Sequence, residues 1–204
     1  MGGPVRVKAL RFFLLNPEKI CEAKEIALRA KVSMKALKKE LNIFKSISLV
    51  KQKRITVEIA KSKKKGRGKI KVKRVDGWYL NGEFAYKETL GTLLTQENLF
   101  SRESILKKLK PAGKIKLLLV SGIFLQQPES RADLLIVGDN LNKKILENRI
   151  KIIESELGRE LTYAIFETKE FTYRFNMYDK LIREILDTPH ERIVDFLQVE
   201  TAFV

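Results

Sequence analysis

The stretch SMKALKKELNIFK, Ser33–Lys45, sets two stripes on one predicted helix. Met34, Leu37, Leu41 and Phe44 return every third or fourth residue and form an apolar stripe made for burial. Lys35, Lys38, Lys39 and Asn42 recur at i, i+3, i+4 and i+7 on the other side, so that side carries hydrogen-bond donors. Ser33 stands where an N-cap belongs, with a hydroxyl able to accept from an amide of the first turn. A lysine face is commonly just a solvated face, so the flanking sequence has to decide what this one is for.

Upstream, Val5–Leu15 reads as a helix with Val7, Leu10 and Leu14 on one side, stopped by Asn16-Pro17. Ala23–Lys31 reads as a short helix with Ala23, Ile26, Ala27 and Ala30 on one face. Downstream, Leu49–Ile59 alternates, with Ile55, Val57 and Ile59 on one side. The run KSKKKGRG, Lys61–Gly68, follows, and Lys69–Leu80 alternates again, with Ile70 and Val72 predicted inward and Lys69, Lys71 and Lys73 outward. Together these predict a long β-hairpin with a basic tip, Lys63, Lys64, Lys65 and Arg67. Gly66 and Gly68 let the tip turn.

Charge points the same way. Residues 1–75 hold 23 Lys and Arg against 5 Asp and Glu, whereas residues 76–204 hold 18 against 20. A concentrated block of cations is favourable only beside a polyanion. A donor-faced helix suits the major groove of DNA, where lysines meet phosphates or guanine and an amide can pair with adenine. No arginine faces out on that helix, so strong bidentate guanine reading is not indicated there. The order of helix, turn, donor-faced helix and basic hairpin resembles a winged helix-turn-helix, with Ser48 at a bend where such domains often place glycine. The resemblance implies duplex DNA as partner, bound by Lys35, Lys38, Lys39 and Asn42 in the groove and by Lys63, Lys64, Lys65 and Arg67 on the backbone.

Residues 82–113 lack alternation and read as two helices parted around Asn98–Ser101. From Lys114 the grammar changes. Ile115–Ser121, Ala132–Val137 and Glu160–Phe166 read as strands, and Lys143–Leu157 and Phe171–Leu186 as helices. Asp139-Asn140 reads as a turn and helix cap, and Asp133 as a strand-end residue accepting from loop amides. Most of Tyr163, Phe171, Tyr173, Phe175 and Tyr178 are expected in the core. His190 has no Ser or Cys partner in any motif.

The stretches SGIFLQQPESRADLLIVGD (Ser121–Asp139) and LGRELTYAIFETKEF (Leu157–Phe171) resemble minimal nucleotidyltransferase domains of the DNA-polymerase-β type, over roughly residues 114–197. More narrowly, the chain looks like regulators in which a winged helix precedes such a domain. That family sets two aspartates one residue apart on a strand to hold divalent ions. Here the first position is Arg131 and only the second, Asp133, is acidic. The third carboxylate falls near Thr162, and the phosphate-gripping Gly-Ser turn reads Gly122-Ile123. The resemblance therefore implies a non-catalytic module for sensing, docking or dimerisation, with no cofactor and no metal.

The predicted fold class is α+β, with a winged helix over 1–81, a helical connector over 82–113 and a small α/β nucleotidyltransferase-like domain over 114–204. No apolar run reaches the ~20 residues that span a bilayer, so no membrane partner is expected. Cys21 is the single cysteine and cannot form an internal disulfide. With no secretory signal evident, the expected compartment is the cytoplasm. Cys21 and His190 alone do not make a zinc site. The winged-helix resemblance and the apolar tail Phe196–Val204 imply a homodimer. The resulting reading is a DNA-binding transcriptional regulator. Its alternatives are an active nucleotidyltransferase that modifies a nucleic acid or protein, and an RNA-binding protein.

Overall fold

A computed structural model describes residues 3–59, 71–96, 101–125, 127 and 129–199 of the 204-residue chain. The architecture is mixed α and β. The chain divides into two compact units, Met1–Glu97 with Ser155–Arg159, and Asn98–Glu154 with Glu160–Val204. That line falls inside the 82–113 segment, between its two helices.

The first unit opens with α1 (Pro4–Leu14), whose proline occupies an N-terminal position that has no helical hydrogen bond to lose. Its buried residues are Ala9, Phe12 and Phe13, whereas the predicted stripe Val7, Leu10 and Leu14 is only half-buried. The two adjacent phenylalanines carry more apolar area than the leucines, so the helix is turned to bury them. Phe13 meets Phe44 edge-on at 6.4 Å. Then follow β1 (Cys21–Glu22), α2 (Ala23–Arg29) and α3 (Met34–Ser46).

Ser33 caps α3, its hydroxyl accepting from the Ala36 amide at 3.2 Å. Leu37, Leu41 and Phe44 are buried, but Met34 is 36% exposed, so the predicted stripe stops one turn short. Met34 is the first residue of the helix and borders an open cleft, which leaves it half in solvent. After α3 the chain turns through Ser48 at φ +60°, a left-handed conformation usually taken by glycine. Asn81 Nδ2 donates to Ser48 O at 2.8 Å and holds that turn.

The hairpin strands are β2 (Val50–Ile59) and β3 (Lys71–Leu80), and the sheet order is β1-β3-β2, all antiparallel. Register corrects the predicted faces. Ile55 pairs with Val75 and Val57 with Lys73, so Lys73 shares the face of those apolar residues. Val72 lies on the opposite face and is 61% exposed. Alternation alone fixed each strand's period, but not which face met its partner's. Beyond Trp78 and Leu80, which anchor the ribbon in the core, both faces are largely solvated. The predicted basic tip, Lys63, Lys64, Lys65 and Arg67, lies outside the described residues, as does Ile70. The last helix of this unit is α4 (Lys87–Gln96).

In the second unit α5 (Arg102–Leu109) is capped by Ser101, whose hydroxyl accepts from the Ser104 amide at 3.2 Å. The strands are β4 (Lys114–Val120), β5 (Leu134–Asp139), β6 (Tyr163–Glu167) and β7 (Glu191–Asp195), in sheet order β6-β5-β4-β7. Only β5 and β6 run parallel, joined through α6 (Lys143–Leu157). Leu117, Leu119, Leu135 and Val137 pack on one side with Phe171 of α7 (Thr168–Asn176) and Ile182 and Ile185 of α8 (Lys180–Leu186). Leu118 and Ile136, on the alternate positions, are buried too.

Four expectations need correction here. The helix predicted over Phe171–Leu186 is two helices, broken where Tyr178 takes φ +56° and Asp179 caps α8 by accepting from the Leu181 and Ile182 amides. Strand β7 was not foreseen: its five residues include only two apolar ones, and as an edge strand it is only half-buried. Asp139 ends β5, and the cap of α6 is Asn142, whose Oδ1 accepts from the Ile145 amide at 3.1 Å. Finally, Tyr163, Tyr173 and Tyr178 are exposed and only Phe171 of that set is buried, with Phe175 partly so. Tyr178 instead lies under the Arg183 guanidinium, 4.5 Å from ring centroid.

Candidate nucleic-acid interface

The candidate surface begins with α3. With Leu37, Leu41 and Phe44 turned into the core, Lys35, Lys38, Lys39 and Asn42 are left exposed. None of the four has an ion-pair or hydrogen-bond partner among the described residues. Acidic neighbours are engaged elsewhere: Glu40 pairs with Arg6 at 2.6 Å, and Glu25 with Arg29 at 3.0 Å. Glu83 is held by Lys51 at 2.9 Å, and the hydrogen bond from that ammonium keeps its carboxyl below the ordinary range.

The ribbon contributes a second surface that the residue pattern did not single out. The face holding Trp78 also carries Gln52, Arg54, Thr56, Arg74 and Asp76, because Gln52 pairs with Trp78, Arg54 with Asp76, and Thr56 with Arg74. Arg54 and Arg74 are exposed. A cleft of about 380 Å³ opens between this face and α3, lined by Met34, Lys38 and Asn42 on one side and Gln52, Asp76 and Trp78 on the other. Lys45, one turn beyond Asn42, donates to Gln52 Oε1 at 2.6 Å and ties helix to ribbon. Donors dominate this surface, but Asp76 places one acceptor within it. Lys45, Gln52, Arg54 and Arg74 could have been found in the sequence only with the hairpin register in hand.

The nucleotidyltransferase-like positions form a different arrangement. Asp133 Oδ1 accepts from the Ile123 amide and Oδ2 from the Thr162 amide, each at 2.8 Å. The Asp133 amide in turn donates to Thr162 O at 2.7 Å. Gly122, Asp133 and Thr162 are thus brought together around one carboxylate, in the strand-end role expected of Asp133. Arg131 stays apart from it: its guanidinium reaches Glu184 of α8 at 3.3 Å. Both Arg131 and Asp133 precede β5 rather than lying on it. Among the described residues, no three His, Cys, Asp or Glu side chains gather where a metal could sit.

His190 Nδ1 lies 2.8 Å from Thr188 O, which makes that nitrogen the donor, and no nucleophile stands against the ring. Cys21 is buried, and its burial pushes the thiol up to about 11, with the Glu25 charge adding to the effect. Such a thiol is unreactive near neutral pH. No described helix is long and apolar enough to cross a membrane. No family model, curated protein or solved structure matches the chain.

Proposed function

We propose that the protein binds duplex DNA through a winged helix in its first unit and acts as a transcriptional regulator. One observation carries this reading. The exposed side of α3 presents Lys35, Lys38, Lys39 and Asn42 without internal partners, while the opposite side is core. Unpaired cations on a rigid helix, beside the β2–β3 ribbon with Arg54 and Arg74, are a surface that a polyanion would neutralise. On this reading α3 enters the major groove and the ribbon follows the backbone, with Lys63, Lys64, Lys65 and Arg67 carried at its tip.

The second unit, on the same reading, is a nucleotidyltransferase-like domain without catalysis, used for sensing, docking or dimerisation. Nucleotidyl transfer needs carboxylates free to hold divalent ions. Both Asp133 oxygens already accept from backbone amides, which supports a structural carboxylate instead. A homodimer in a reducing cytoplasm completes the proposal. Sedimentation across a concentration series tests the dimer, and a monomer at high concentration removes it.

Competition between duplex DNA and duplex RNA of equal length, at fixed salt, tests the main reading. Preference for DNA supports it, and preference for RNA replaces it with the RNA-binding alternative. Incubation with each labelled nucleoside triphosphate and Mg²⁺ tests the enzyme alternative. Incorporation that vanishes in Asp133→Ala would establish it.

A further inference from the structure

Lys45 Nζ lies 2.6 Å from Gln52 Oε1. An ammonium group only donates, so the Gln52 oxygen is the accepting atom and its amide nitrogen, with two N–H groups, is the end left to a ligand. Gln52 stands on the ribbon face that looks onto α3 and lines the cleft with Lys38 and Asn42. Lys38, Asn42 and Lys45 fall on one side of α3 by their helical spacing, and Gln52, Asn42 and Lys45 are all exposed.

This bond changes what Gln52 can read. A free glutamine amide pairs bidentately with adenine, donating to N7 and accepting from the N6 amino group. Guanine offers only acceptors, N7 and O6, so the glutamine oxygen would oppose one of them. With its oxygen engaged by Lys45, Gln52 keeps donors alone. It then suits guanine and faces the adenine amino group with nothing to accept it. We infer that Gln52 reads a base edge beside α3, and that Lys45 is a positioning residue that turns its preference from adenine to guanine. The inference rests on the reading of α3 as the DNA-binding helix.

The test is selection from a random duplex library by the full-length protein and four variants: Gln52→Ala, Lys45→Met, Lys45→Arg, and the triple Lys35→Ala, Lys38→Ala, Lys39→Ala. Thermal melts verify folding, which substitutions at these exposed positions should leave intact. The wild type should favour guanine over adenine at one position by roughly tenfold. Gln52→Ala should flatten that position while affinity for unselected duplex stays within about twofold. Lys45→Met should lose guanine and gain adenine there, because the freed oxygen can accept from N6. Lys45→Arg, which also only donates, should retain guanine.

No base preference in the wild type overturns the inference, as does guanine retained by a folded, binding Gln52→Ala or Lys45→Met. The triple variant separates the two claims. If it binds like the wild type, the reading of α3 fails as well. If it loses binding while Gln52→Ala selects as the wild type does, only the role of Gln52 fails.

Discussion

Gly122 sits directly against the Asp133 carboxylate: a Cβ built on Gly122 would fall 2.1 Å from Asp133 Oδ1. The glycine also has φ +55°, so its missing side chain answers to both space and backbone. This pair, and not a metal, organises the turn after β4. Gly122→Ala is predicted to destabilise the second unit by about 2 kcal/mol or more, from left-handed backbone strain and the displaced carboxylate. Asp133→Ala should lose about 2–4 kcal/mol, because the Ile123 and Thr162 amides lose their acceptors. Denaturant melts check both. An Asp133→Ala variant as stable as the wild type would contradict the structural role.

Ser48 supplies a prediction of opposite sign. A non-glycine residue at φ +60° carries strain of roughly 1–2 kcal/mol, part of which glycine would return as lost chain entropy. Ser48→Gly should therefore stabilise the first unit by about 0.5–1 kcal/mol, read as an increased melting temperature. The bond from Asn81 to Ser48 O is made to the backbone and survives the change.

Cys21 gives a pH dependence. Its folded-state thiol titrates near 11, above the ordinary value, so the native state favours the protonated form. That contribution to stability is complete below the unfolded thiol's pKa, near 8.5, and is lost as pH rises toward about 11. Wild type and Cys21→Ala should thus differ in the slope of stability against pH only above about 8.5. Equal slopes there would contradict the assignment. Thiol alkylation of the native protein should remain slow at pH 8.

How much of this was legible in the sequence depended on whether the signal was local. The capped helix α3, its donor face and α6 follow from spacing and a serine hydroxyl, which need no partner to be read. Val72 and Lys73 show the limit: each strand alternates, but only the cross-strand register says which face is shared. Phe12 and Phe13 show another, since α1 satisfies the bulkier pair at the expense of the neater stripe. Strand β7 exists because β4 offers it an edge, and nothing within Glu191–Asp195 announces that.

The candidate site divides in the same way. Lys35, Lys38, Lys39 and Asn42 are visible as a helical repeat, whereas Gln52, Arg54 and Arg74 join them only through the fold. Asp133 was assigned to backbone amides on its place at a strand end, and its two acceptor bonds fit that assignment. Arg131 was paired with Asp133 by adjacency in sequence. In space Glu184, from a helix some fifty residues later, is its partner.

The most direct measurement is the affinity of full-length protein for duplex DNA between 50 and 200 mM salt, for the wild type and for Lys35→Ala, Lys38→Ala, Lys39→Ala combined. With about six phosphates neutralised, the wild type should lose roughly a thousandfold in affinity across that range. The triple variant should bind more weakly at low salt, with a log–log slope shallower by about two to three. Equal affinity and equal slope in a folded triple variant would contradict α3 as the DNA-binding helix.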